Sequence, residues 1–525
     1  MKNKILILAL STALLGTTSC NDYLDVNDNP DRPALADVQP NSVFAGAVTG
    51  SYYVQARRVN IFSSLMTNSF AGNSHSYGTP YMDEYTPNIT SSFYSDIWDQ
   101  MYRSMVNFQM IIDYNDPSGD FAQYKAMAKI MKAYYMQMLT DFYGNAPYTE
   151  AWKRLDNSTP KYDKSEDIYK ANIAELENAI SLIDAKGGKV PSTDDIVFAG
   201  SMAKWKAFAN TIKLRHLLRM SNVTGEMASY RDAKLATLAG QTFTDANVLV
   251  NPGYDGATAD SSNPFNNYVI VTPAGTRPGN YTLVVPSEHI ALALSGNAAG
   301  DTRDMYQKFN GIVDGRSNRM FTFVGGKIEG VRQGATPGQP GAPSPRTISR
   351  IGSGIVMGTT GGVSVKGALS KPGVLMLKSE AELLLAEAAV RYPAIFSDGK
   401  THFENAVKAS YTYLGVPDAN AAAEAYITSI NSVAKLGWTG SNENLIEAII
   451  TQKWLALTGV TPEQTYFDYT RTGYPVNPLP TVSTNPRPNR LPYPVSEYAA
   501  NTNNVPQMAN GDVFTKNQHT PFWAR

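Results

Sequence analysis

A chain of 525 residues with a formal net charge of −1, 43% hydrophobic and 17% charged, is long enough for a substantial core. It has no basic excess, which argues against a nucleic-acid partner and against recognition of anionic membranes through a basic patch. A single cysteine excludes an internal disulfide framework and any Cys-based zinc site, while 30 tyrosines suggest a polar aromatic surface of the kind that binds neutral ligands.

At the N-terminus, Lys2 and Lys4 precede an apolar run from Ile5 to Leu15, and small residues Gly16 to Ser19 lead to the lone Cys20. The run has signal-peptide length and is too short to span a bilayer. One reading is an ordinary secretory signal with an incidental cysteine. The sharper one is a bacterial lipoprotein signal over residues 1–19, cleaved before Cys20, whose thiol takes a diacylglycerol and whose new amine is acylated. Thr17 stands where Leu is commonest in such signals. Each buried CH₂ contributes about 0.8 kcal/mol, so several acyl chains make a permanent anchor. Residues 20–36, with "NDYLDVNDNPDRP", are acidic and rich in turn formers and read as an extended tether. Asp25, Asn27 and Asn29 have the alternate spacing of a calcium loop, but Pro30 replaces the required Gly and Ala36 the bidentate Glu, so that reading fails.

Apolar residues recur at helical spacing over 43–59 and again over 92–114, with a long polar and aromatic loop between. In 121–142, Tyr124, Met127, Met131, Tyr135, Met138 and Phe142 fall on one face, a stripe read as core packing that stops at Gly144. A helix capped by Ser165 or Asp163 follows, then a loop and a long helix striped by Trp205, Phe208, Ala209 and Ile212. Residues 221–371 are dominated by Gly, Pro, Thr and Asn and read as irregular. Helical spacing returns at 373–392, 401–415, 419–435 and 442–458, before a Pro-rich stretch packed over the helices. Paired helices with Ala at close contacts suggest tetratricopeptide-like packing without a clean 34-residue repeat.

In order along the chain, the lipobox, "NDYLDVNDNP", "TDFYGNAPYTEAW", "PKYDKSEDIY", "WKAFANTIKLRHLLR", "SEAELLLAEAA", "QKWLAL" and "RTGYP…RLPYPVSEY" resemble the SusD/RagB family of Bacteroidota outer-membrane lipoproteins. The resemblance implies a mainly α fold over 37–525, a helical scaffold with tetratricopeptide-like pairs and a loop-rich insertion. It also implies a place on the outer face of the outer membrane and a SusC-type TonB-dependent transporter as partner. The ligand it implies is an oligosaccharide or oligopeptide, bound without catalysis or cofactor.

The residues themselves offer little chemistry. Glu380, Glu382 and Glu387 share a helix but read as solvated or capping acids, and the five histidines show no metal-ligand spacing. An exported glycan- or peptide-hydrolysing enzyme is the alternative, disfavoured by the missing constellation. Binding needs only aromatic faces and polar forks. Loop 70–96 offers Tyr77, Tyr81 and Tyr85; a second patch over 261–283 offers Asn263, Phe265, Asn266, Tyr268, Arg277 and Tyr281. A loop that merely covers the helices would show similar aromatics. Trp98, Trp205 and Trp454 read as core, which leaves few tryptophans for a sugar platform and keeps a peptide ligand open.

Overall fold

The computed structural model describes residues 38–76, 80–86, 88–153, 156–357 and 364–525. Cys20, its signal and its tether therefore lie outside the described residues, as does Tyr77.

The first helix begins at Pro40, where a missing N–H is harmless. It runs as α1 (Pro40–Val54), a turn of π-helix (Gln55–Val59) and α2 (Asn60–Met66), seven residues past the expected end. Four long helices follow: α3 (Ser95–Asp113), α4 (Ala122–Tyr143), α5 (Ser165–Asp184) and α6 (Met202–Arg219), each packed on its predecessor. All six stripe residues of α4 are buried, and the helix ends at Gly144, whose φ of +73° suits glycine. Neither expected cap serves α5. Asp163 instead accepts the N–H groups of Tyr148 and Thr149 at 2.8 and 2.9 Å, tying the preceding loop back on itself.

The region read as irregular contains one substantial helix, α7 (Gly225–Ala236), several short ones, of which two are used below, and one strand of each of two antiparallel ribbons. Strand β1 (Phe70–Gly72) pairs with β3 (Val284–Pro286), and β2 (Val248–Val250) with β4 (Gly373–Met376). The helix expected from 373 thus starts later, as α10 (Lys378–Arg391), because "GVLM" finds a distant strand partner. A short apolar run carries no periodicity that separates the two states. Then come α11 (Gly399–Tyr413), α12 (Ala419–Ile430), α13 (Asn442–Leu457) and an unexpected α14 (Glu463–Thr472).

The main cluster of buried side chains extends from Phe44 to Ala524. Trp98, Trp205 and Trp454 belong to it as read, but so do Tyr134, Tyr135, Tyr143, Tyr169 and Tyr306, so much of the tyrosine content builds core rather than surface. The α10 acids are not solvated. Glu380 meets Arg215 at 3.3 Å and Glu387 meets Arg471 at 2.6 Å, both fully buried, while Glu382 lies 2.7 Å from His402. Asp468 joins Arg219 and Lys453 at 2.8 and 2.7 Å, so one ionic network locks α6, α10, α13 and α14 together. Removing a single partner from such a pair costs about 3–5 kcal/mol, because it strands the other charge.

Candidate functional site: an aromatic and arginine face

The π-turn places the site. Such a turn carries one extra residue, re-aims the side chains around it and recurs at functional positions. Its first residue faces inward: Gln55 Nε2 donates to Tyr134 Oη and Glu463 Oε1 at 2.9 and 2.8 Å. The next two polar residues point the other way. The Arg57 guanidinium lies between two rings, 4.5 Å from the centroid of Tyr53 and 4.2 Å from that of Tyr268. Partial burial lowers its pKa, though a guanidinium stays charged. Arg58 covers Tyr94 at 4.4 Å and places Nε 2.7 Å from Asp96 Oδ2; the N–H is not aligned on that oxygen, so this is an ion pair only.

The β1–β3 ribbon brings the two loop regions to this helix. Beyond its last pair, Gly72 with Val284, Asn73 donates from its backbone N–H to Leu283 O and from Nδ2 to Thr282 O, both at 2.9 Å. Gly72 has no room for a side chain, since a Cβ would lie 2.5 Å from Pro80 O and 3.0 Å from the Tyr81 ring. Helix α8 (Pro264–Val269) is started by Asn263, whose Oδ1 accepts the Asn266 N–H at 3.0 Å, and it carries Tyr268 at its far end. Helix α9 (Gly279–Leu283) buries none of its residues. It presents Tyr281 with Arg277 4.3 Å and Arg350 5.6 Å from its ring centroid. Asn280 Nδ2 donates to Tyr268 O at 3.2 Å and joins the two halves of the face.

Rings with free faces take the C–H side of a sugar or an apolar side chain, and guanidinium forks donate to hydroxyls or carboxylates. Among the described residues the carboxyls beside Arg58 are engaged within the fold, Asp96 by Arg58 itself and Glu84 by the Tyr94 hydroxyl at 2.7 Å. Among the described residues no group of three or more His, Cys, Asp or Glu side chains is placed to hold a metal ion.

The sequence profile of a SusD-like family, described as "Starch-binding associating with outer membrane", matches residues 32–494. The chain belongs to this SusD-like family. Solved structures share the fold of this SusD-like chain. One is a chitin-binding protein at 24% identity and TM-score 0.66, covering 88% of this chain and 95% of that one. Another is a chitin-binding SusD homologue from Flavobacterium johnsoniae at 21% and 0.67, covering 92% and 98%. A SusD-like protein from Bacteroides thetaiotaomicron matches at 20% and 0.64, covering 88% and 94%. Among curated proteins none matches significantly. At these identities the likeness establishes the mainly helical SusD-like fold.

Of the nine residues expected to touch ligand in this SusD-like chain, Tyr268, Arg277 and Tyr281 lie on the face. Four are internal instead. Tyr85 Oη accepts the Gly72 N–H at 2.6 Å, and Phe265 packs in the core. Asn263 Nδ2 donates to Lys371 O at 2.9 Å, while Asn266 Nδ2 donates to Val356 O and Ala368 O at 2.9 and 2.7 Å. Asn266 thus spends both amide hydrogens, and Asn263 one, on backbone carbonyls that hold the loops together inside the fold. Tyr81, in the left-handed region at φ +67°, packs half-buried against the core, and burial pushes its phenol pKa up. Tyr53, Arg57 and Arg350 were missed. The signal available was the Tyr53 and Arg57 spacing of four on a helix, with two arginines breaking an otherwise apolar run.

Proposed function

We propose that this chain is a non-catalytic, lipid-anchored cell-surface lipoprotein that captures oligosaccharides and delivers them to a SusC-type TonB-dependent transporter. The observation that carries the reading is the face of Tyr53, Arg57, Tyr268, Arg277 and Tyr281, where rings and donor forks converge from three separate chain segments. The family description as starch-binding and the chitin-binding relatives favour a sugar over a peptide. Attachment through acyl chains on Cys20 is supported by the lipobox, and among the described residues no helix is long and apolar enough to cross a membrane. The absence of turnover is supported by the α10 carboxylates, each engaged by a cation or histidine inside the fold.

The test is calorimetric titration of the mature chain with maltohexaose, cellohexaose and chitohexaose, repeated on Tyr268→Ala. Loss of one stacked ring costs about 1 kcal/mol, so at least one hexasaccharide should bind wild type and bind the variant roughly fivefold more weakly. Equal affinity in both proteins, or no binding to any of the three, would remove the proposal.

A further inference from the structure

A cleft of about 790 Å³ opens between α3, α4 and α5 and is lined on one side by residues between Tyr148 and Lys153 and by Asp156. That is the size of a small-ligand site. It is not continuous with the aromatic and arginine face. Gln109, which lines the cleft, lies thirteen residues beyond Asp96 on α3, about 20 Å along the helix axis.

Two features of the cleft are those of a ligand site. The first is its aromatic wall. Trp98, Trp205, Trp454 and Trp523 are each no more than 2% exposed; Trp152 and Trp438 are both partly buried, and Trp152 is the one that lines the cleft, beside Tyr148. Its backbone takes the left-handed region at φ +60°, rare for a bulky residue, and its indole N–H donates to Tyr102 O at 3.1 Å, fixing the ring plane.

The second feature is Lys132. Its ammonium, on a buried side chain of α4, sits 4.5 Å from the Tyr148 ring centroid and 4.8 Å from that of Trp152. It donates to Gln109 Oε1 at 2.6 Å, and among the described residues no carboxylate forms an ion pair with it. An ammonium has three hydrogens, so donors are left for a guest. Burial lowers its pKa to about 8, which leaves it mostly charged at neutral pH.

The lining decides the class of guest. Lys132 and Lys153 are offset by Asp113 and Asp156, and Glu175 is taken by Lys129 at 2.5 Å. A lining with balanced charge, flat aromatic walls and scattered donors and acceptors selects a neutral polyhydroxylated ring. We infer that this cleft is a second binding site, for a neutral pyranose unit of an oligosaccharide, with the Trp152 indole against its C–H face, Tyr148, whose ring stands at 80° to the indole, beside it, and Lys132, Asp113 and Asn115 on its hydroxyls. The site stands on its own residues and does not depend on the aromatic and arginine face.

The mature chain is titrated with cellohexaose, chitohexaose, xylohexaose, mannohexaose and maltohexaose, following tryptophan fluorescence and heat. Trp438 is also partly exposed, so the fluorescence titration is done in a Trp438→Phe background, where the other tryptophans are buried and a change in emission reports Trp152. At least one sugar should change the emission, and the change should persist in Tyr281→Ala. By calorimetry, Trp152→Ala should bind that sugar at least tenfold more weakly, Lys132→Met at least threefold, and Trp152→Tyr should recover part of the loss. Thermal unfolding of each variant separates lost binding from lost fold. No emission change with any of the five sugars, unchanged affinity in both Trp152→Ala and Lys132→Met, or loss of the change in Tyr281→Ala would overturn the inference.

Discussion

Glu463→Gln should stabilise the protein in a pH-dependent way. The carboxyl is fully buried beneath the π-turn; Oε1 accepts from Gln55 at 2.8 Å and Oε2 has no partner. Desolvation, helped by nearby Glu380 and opposed by Gln55 and Arg215, raises its pKa from 4.5 to about 7. A raised carboxyl leaves the folded state holding a proton that the unfolded chain releases. Its penalty is absent below pH 4.5, grows through the window from 4.5 to 7 and is constant above. A rise of that size corresponds to about 3 kcal/mol at pH 8 and under about 1 kcal/mol at pH 5. Glutamine keeps the acceptor for Gln55 and carries no charge, so it removes this term. Urea unfolding of both proteins at pH 5 and pH 8 reads the difference, in which any isosteric effect common to both pH values cancels. A gain that is the same at both values, or larger at pH 5, would refute the reasoning.

Three further outcomes follow from the geometry. Asn266→Ala strands the carbonyls of Val356 and Ala368 and should cost about 2–4 kcal/mol by urea unfolding, with sugar affinity unchanged in the fraction that folds. Tyr281→Ala has the opposite profile: it sits on a helix with no buried residue, so affinity for a hexasaccharide should fall roughly fivefold while the unfolding free energy moves by under about 0.5 kcal/mol. Cys20→Ala should leave the fold intact and release the protein from membranes, and membrane association that survives in cells lacking the transporter would contradict the lipid anchor.

Much of the scaffold was legible because its signals are local. The stripe from Tyr124 to Phe142 and the stop at Gly144 need only a period of 3.6 and a glycine. The strand at Gly373–Met376 was not legible, since its partner lies more than 100 residues away at Val248–Val250. Glu380 and Glu387 read as solvated acids because the arginines that pay their desolvation, Arg215 and Arg471, sit on other helices. The same limit shaped the site. Composition singled out the 261–283 patch, three of whose residues lie on the proposed face, but also loop 70–96, none of whose described candidates does, and it could not tell Asn266, spent on backbone carbonyls, from Tyr268 two residues on. Arg57 was overlooked because a π-turn leaves no clear mark in an apolar helix.

Capture without turnover is measured most directly by titrating hexasaccharides into the mature chain in a calorimeter and then sizing the sugar by chromatography after prolonged incubation. Saturable binding with the hexasaccharide recovered intact is the expected result. Shorter products formed by the purified chain, or no heat of binding with any hexasaccharide, would contradict it.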